Sequence, residues 1–328
     1  MANFLITGGA GFIGSHAAQK LLNRGHRVTI IDDFNDRYDP RLKEARMQNM
    51  FEGSVQKPTI IRQDIRDTEA ILKIFAKENF DSVIHLAAWA SVLPSMKNPH
   101  IYAQVNVDGT VNILEACRLH GVKNLVFAST SSVYGGLATT PFKESDNVLQ
   151  PISPYAATKV AGEVLCATWH NMYQLPVVCL RFFTVYGPWG RPEMAMFQFA
   201  NAIMAGKPVM MRGHATKRDF TYIEDVVAGI VGASAVKKGF TVCNLGEHDA
   251  VQLPRLVKAL EENLQKKAII KEVPLLPGEI ASTLADITKA KHLLGYQPTT
   301  SIEAGVKKFV DWYVTWYRPH FMDKEESI

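Results

Sequence analysis

Tyr155 and Lys159 fall four residues apart in the stretch Ser153-Pro-Tyr-Ala-Ala-Thr-Lys159. On a helix this spacing puts both side chains on one face, one turn from each other. A lysine ammonium beside a phenol favours the phenolate, so a tyrosine pKa below its ordinary value of about 10 is expected. Such a group accepts a proton near neutral pH, as hydride abstraction from an alcohol requires. No other tyrosine in the chain has a lysine four residues on, and the pair gains its meaning from its setting.

That setting is a run of short β-branched segments alternating with helical stretches, the pattern of parallel βαβ units. Strands are expected at 4–6, 27–31, 59–61, 82–85, 125–127 and 177–180. Helices are expected up to Asn23, where Gly25 ends the first, and over 68–77, 100–120 and 154–173. The fold class is α/β, a Rossmann-type doubly wound parallel sheet, with a smaller C-terminal α/β substrate-binding domain. The expected division is 1–183 and 184–328, with about 219–246 returning to the first domain. After Tyr186 the pattern turns irregular, and Gly-Pro-Trp-Gly-Arg-Pro marks a long loop. A helix at 196–205, a strand at 208–211, helices at 288–294 and 302–317 and a frayed tail at 323–328 complete the chain. Trp312, Tyr313, Trp316 and Tyr317 sit at helical spacing and read as core packing.

Thr7-Gly-Gly-Ala-Gly11-Phe-Ile-Gly14 follows the first expected strand and opens a helix. Gly8, Gly11 and Gly14 let backbone approach a pyrophosphate, whose charge is met by N–H groups at the helix start around Phe12 and Ile13. The second strand ends in Asp32-Asp33, with Asn35 just beyond. A carboxylate there accepts from adenosine ribose hydroxyls and repels a 2′-phosphate, which favours NAD over NADP. Asp64 and Ile65 follow the third strand, at the expected adenine edge. Leu86, Ala87 and Ala88 follow the fourth, Asn106 lies in the facing helix, and Phe182 ends the sixth; all join the expected cofactor set. Beyond the fifth strand comes Ala128-Ser-Thr-Ser-Ser-Val-Tyr-Gly135. Thr130 is the chosen hydroxyl next to the reacting carbon, though Ser129 and Ser131 fit a hydroxyl-rich turn equally well.

The 328 residues are 47% hydrophobic and 21% charged, which suits a folded chain able to bury a large core. Net charge is +4 with no cluster of basic residues, so nucleic-acid binding is not indicated. No apolar run reaches the length of a membrane span, and no basic start leads into an apolar core and cleavage site. A cytoplasmic protein without a membrane partner is expected. Cys117, Cys166, Cys179 and Cys243 lie apart, without metal-ligand spacing, and read as buried reduced thiols; no metal is expected.

Together these motifs resemble the extended short-chain dehydrogenases/reductases of the NAD-dependent sugar-nucleotide epimerase/dehydratase family. The resemblance runs through Arg181-Phe-Phe-Thr-Val-Tyr-Gly-Pro188 and Arg218-Asp-Phe-Thr-Tyr-Ile-Glu-Asp225 and covers nearly the whole chain. It implies Thr130, Tyr155 and Lys159 as the catalytic set, NAD as cofactor and a UDP-sugar as substrate. It also implies that Thr184 and Arg218 touch the nucleotide diphosphate, Arg218 being suited to bidentate phosphate contact. Helices 100–120 and 154–173 resemble the pair through which family members form homodimers; their apolar faces fit packing within one subunit as well.

Family dehydratases carry Asp-Glu at the positions of Ser131 and Ser132, and decarboxylases acting on UDP-glucuronate usually carry Glu at that of Ser132. Here no carboxylate stands there to eliminate water or manage a decarboxylation. The stretch 183–195 most resembles the UDP-glucuronate 4-epimerases, which implies inversion at C4 through a transient 4-keto sugar. A neutral-sugar 4-epimerase, a decarboxylase and a non-catalytic NAD-binding regulator are the alternatives. Two positions depart from the resemblance. Ser91-Val92-Leu93 stands where uronate epimerases often show Gly-Val-Arg, and Arg212-Gly-His-Ala215 replaces an aromatic-Gly-Asp-Gly pattern. Arg212 is then the group expected to stack on the base, and Arg191 is a candidate ligand for a carboxylate or phosphate, with a surface-loop role open.

Overall fold

Runs rich in Ile, Val and Leu form the central strands of a computed structural model that describes residues 1–322, apart from Ala138, His214, Pro277 and Glu279. The expected tail at 323–328 lies outside the described residues. Six strands, β1 (Asn3–Thr7), β2 (Arg27–Asp32), β3 (Thr59–Arg62), β4 (Ser82–His85), β5 (Leu125–Thr130) and β6 (Val177–Phe182), come first. The chain then places β7 (Thr184–Tyr186), β8 (Pro208–Arg212) and β9 (Lys217–Tyr222) in small sheets before β10 (Phe240–Leu245) rejoins the main one. The order is β10-β6-β5-β4-β1-β2-β3, every neighbour parallel. Every residue of β1, β5 and β6 is buried, as expected of strands covered by helices on both faces.

The helices are α1 (Phe12–Asn23), α2 (Pro40–Asn49), α3 (Thr68–Lys77), α4 (Val92–Lys97), α5 (Pro99–Ala103), α6 (Gly109–Leu119) and α7 (Pro154–Tyr173). Later come α8 (Ala195–Met204), α9 (Ile223–Ser234), which packs on α1, then α10 (Leu253–Leu264), α11 (Thr288–Leu294) and α12 (Ile302–Trp312). Where one helix was expected over 100–120, a π-turn at Gln104–Asp108 separates α5 from α6, and a second π-turn at Tyr313–Tyr317 follows α12. β11 (Ala250–Gln252) pairs with β9, and β12 (Ile269–Val273) with β8. Tyr313 and Tyr317 are buried, and Trp316 packs on Trp189 with ring centres 4.1 Å apart, so the aromatic stripe is core. The four cysteines are free and buried. Among the described residues no helix is long and apolar enough to cross a membrane, and no group of three His, Cys, Asp or Glu is placed to hold a metal.

Strand order reverses between β1 and β4, and in such sheets ligands bind in the crevice beyond the strand ends at that point. A cavity of about 650 Å³ opens there.

Candidate active site

The glycine loop forms one wall of the cavity, and its three glycines do different jobs. Gly8 has φ +69° and packs so closely that a Cβ would meet the Ala87 nitrogen at 2.7 Å. A Cβ on Gly14 would strike Gly9 Cα at 2.7 Å, so this glycine seats α1 on the loop. Gly11 is the N-cap of α1 and caps nothing with a side chain, which leaves the first N–H groups of the helix facing the cavity. This is an anion cradle built from backbone. Phe12 and Ile13 line it as well.

Asp32 ends β2, buried, and its carboxylate accepts from the Ala10 and Phe34 amides at 3.1 and 2.9 Å. It also pairs with Lys43 Nζ at 3.1 Å, while Asp33 stands 3.7 Å from the same ammonium. Lys43 was not expected from the sequence. It reaches the site because Asp39 caps α2 and Pro40 opens it, turning the helix back over the end of β2. Asn35, Asp64 and Ile65 line the same end, Asp64 bound to Arg66 Nε at 2.9 Å. Leu86, Ala87, Ala88 and Phe182 also line the cavity.

Two expected residues do not line it: Asn106 and Arg212. Asn106 is fully buried in the π-turn. Its amide clasps the backbone of Trp89 (2.8 and 2.9 Å) and donates to Thr158 Oγ1 at 3.0 Å. It therefore shapes the loop after β4. His85 helps from below, with Nδ1 2.6 Å from Thr7 Oγ1 and Nε2 3.1 Å from Thr110 Oγ1. Burial and the nearby Lys159 charge hold its pKa down to about 3, so the ring is neutral. Arg212 ends β8, where it pairs in register with Val273 of β12.

The opposite wall carries the reacting groups. Ser153 caps α7, accepting from the Ala156 amide at 3.2 Å, with Pro154 in the first turn. Tyr155 thus falls in the first turn and Lys159 one turn deeper, and both line the cavity with Thr130, Ser131 and Ser132. Thr130 ends β5, three residues past the expected strand end; its Oγ1 accepts from the Ser132 amide at 3.2 Å. The Tyr155 ring stands edge-on to Tyr102, centres 6.2 Å apart, and Lys159 Nζ lies 4.9 Å from the centre of the Phe127 ring.

One expectation is overturned. Burial raises the Tyr155 phenol above its ordinary value, against the Thr130 hydroxyl and the Arg191 charge, which both pull it down. Burial also lowers Lys159 to about 8. For both groups desolvation outweighs the favourable neighbours: Thr130 and Arg191 at the phenol, and Cys166, Cys179 and Glu163 at the ammonium.

Under the reacting centre lies a buried ion pair. Arg181 of β6 donates to Glu163 of α7 through Nε at 2.9 Å and a terminal nitrogen at 2.8 Å, and Ser129 Oγ donates to Glu163 at 2.5 Å. Glu163 stands one turn beyond Lys159, so the pair fixes α7 against the sheet. On the far side of the cavity Thr184 and Arg218 line the wall, Arg218 donating to the Lys217 and Ala281 carbonyls at 3.0 and 3.1 Å. Arg191 also faces the cavity and pairs with Glu193 at 3.2 Å.

Comparison with known proteins bears on the fold and the family. The family model described as GDP-mannose 4,6 dehydratase matches residues 5–309. UDP-glucuronate 4-epimerase 4 of Arabidopsis thaliana is 43% identical over 333 residues, covering 95% of this chain and 75% of the plant protein. UDP-glucuronic acid 4-epimerase from Bacillus cereus, solved with UDP-glucuronic acid and NAD, superposes with a TM-score of 0.88. It is 36% identical, covering 96% of this chain and 100% of that one. UDP-glucose 4-epimerase from Thermus thermophilus, solved with NAD, gives 0.86 at 30% identity, covering 96% and 99%. The fold is shared with these enzymes, and the chain belongs to the extended short-chain dehydrogenase/reductase family of sugar-nucleotide epimerases.

Proposed function

We propose that the protein is a UDP-hexuronate 4-epimerase that interconverts UDP-glucuronate and UDP-galacturonate with bound NAD. The observation that carries this reading is the wall holding Thr130, Tyr155 and Lys159 together while serines, not carboxylates, occupy positions 131 and 132. The residues present fit NAD: Gly8, Gly11 and Gly14 with the start of α1 for the diphosphate, Asp32, Asp33 and Asn35 for the adenosine ribose. Asp64 and Ile65 serve the adenine, and Leu86, Ala87, Ala88 and Phe182 take the rest. When bound, NAD supplies a hydride acceptor that also returns the hydride.

The chain's own residues manage the proton. Tyr155 Oη takes the proton from the sugar O4 as C4 is oxidised and gives it back as C4 is reduced. The α7 N-terminus and the Lys159 ammonium hold the phenolate in between. Thr130 orients O4. Net redox is zero. The 4-keto form of a uronate is a β-keto acid prone to lose CO2, so its carboxylate must be held; Ser131, Ser132 and Arg191 are the groups facing it. Of the carboxylates lining the cavity, Asp32, Asp33 and Asp64 lie at the ends of β2 and β3, and Glu193 is bound to Arg191. Among the described residues, none of these carboxylates lies on the end of β5 that carries Thr130. Thr184 and Arg218 are assigned to the UDP diphosphate.

A second reading, a 4-epimerase of neutral UDP-sugars, is favoured by Leu93 where a cation is expected. Exposed Leu119, Val164, Met172 and Tyr173 on α6 and α7 support a homodimer through those helices, and four buried free thiols support a cytoplasmic protein. The test is incubation with UDP-glucuronate, UDP-galacturonate, UDP-glucose and UDP-galactose, with the products resolved. Equilibration of the uronate pair without CO2 release is expected. A pentose product, or turnover of the neutral pair alone, overturns the reading.

A further inference from the structure

Arg37 is a cation of the cavity wall that neither the glycine loop nor the catalytic wall accounts for. It follows β2 by five residues, and its backbone N–H donates to Asn35 Oδ1 at 3.2 Å. One terminal nitrogen reaches the carbonyl of Ala90, beyond β4, at 3.2 Å, and the guanidinium carbon lies 5.9 Å from the centre of the Trp89 ring. The guanidinium also bonds the Tyr102 hydroxyl, its Nε is closed off from solvent without a hydrogen-bond partner, and among the described residues no carboxylate pairs with it.

The sheet order is β4-β1-β2, so an arm running from the end of β2 to the end of β4 crosses the end of β1. The end of β1 is the glycine loop. The start of α1 and the Arg37 guanidinium both line the cavity there. The other charged groups of that end are already engaged: Lys43 with Asp32 and Asp33, and Asp64 with Arg66. A guanidinium that lines a cavity and has no carboxylate partner among the described residues favours an anionic oxygen there, and its planar donors suit a phosphoryl group.

We infer that Arg37 is a ligand for the diphosphate of the bound dinucleotide. The inference rests on the NAD reading above. It makes Arg37 a strap across the diphosphate, tying cofactor retention to the loop whose Ala90 carbonyl accepts from Tyr102 of α5, which stands edge-on to Tyr155.

The test is calorimetric titration of the full chain, freed of copurifying dinucleotide, with NAD, ADP-ribose and adenosine. Arg37→Leu is expected to weaken NAD and ADP-ribose on the order of tenfold or more, as loss of a charged hydrogen bond does, and to leave adenosine unchanged. Arg37→Lys is expected to lose less. Equal NAD affinity in wild type and Arg37→Leu overturns the inference and leaves the NAD reading standing. So does an equal loss on adenosine, or a loss confined to the KM of the uronate. Failure of the wild type itself to bind NAD overturns both.

Discussion

One helical turn separates Tyr155 from Lys159, and burial moves the two in opposite directions, the phenol upward and the ammonium down to about 8. Positive charge placed beside the phenol favours its ionised form, and an oxidised nicotinamide, when bound, would supply such charge.

The shift at Lys159 has a signature in stability. Its pKa is about 8 folded and 10.5 in its ordinary state. Between those values the unfolded chain binds more protons, so this group opposes folding fully below pH 8 and ceases to oppose it as the pH rises through 10.5. Lys159→Met, neutral at every pH, should therefore gain on wild type at pH 7 by at most about 3 kcal/mol. That gain should shrink by about pH 10; denaturant midpoints at the two pH values check it.

Glu163 and Arg181 are both buried, with side chains 7% and 4% exposed. Glu163→Gln leaves the guanidinium without its counter-charge, and a loss of about 3–5 kcal/mol is expected. One terminal nitrogen of Arg181 already has no hydrogen-bond partner among the described residues, so little reserve exists. Replacing both residues with Met should recover most of the loss in chemical denaturation; a double variant no better than Glu163→Gln would contradict this account.

Ser91 holds φ +87° and ψ 136°, a conformation that side chains other than glycine disfavour. Its carbonyl accepts from Tyr102 at 3.2 Å, an interaction that glycine keeps. Ser91→Gly should raise stability by about 1 kcal/mol, read from the thermal midpoint.

Glu247 is pushed up to about 8, first by burial and then by Asp225, Asp219 and Asp249. Its folded pKa exceeds its ordinary 4.5, so the stability it permits is complete below pH 4.5 and is lost as the pH rises through 8. Glu247→Gln should leave the melting temperature unchanged at about pH 4.5 and raise it at about pH 8.5.

Much of this site is written in local sequence. The glycine loop, Asp32 and Tyr155 with Lys159 each belong to one strand-to-helix junction or one helix turn, where spacing alone sets geometry. The central strands are legible for the same reason, being continuous apolar runs. What escaped depends on chain folding back over distance. Lys43 and Arg37 enter the cavity because α2 and the loop before it return across the ends of β2 and β4, which no periodicity announces. Asn106 lies near the expected loop, yet its amide is spent on Trp89 because a π-turn rotates it inward. The phenol shift runs against expectation because a four-residue spacing conveys proximity and says nothing of desolvation.

The central claim is that Tyr155 serves a hydride removed from C4 and returned to the same carbon. UDP-glucuronate carrying deuterium at C4 tests it most directly. The account predicts UDP-galacturonate that keeps deuterium at C4, no CO2 release, and loss of at least about a hundredfold in turnover in Tyr155→Phe with NAD still bound. Protium from water at C4, or a pentose product, would contradict it.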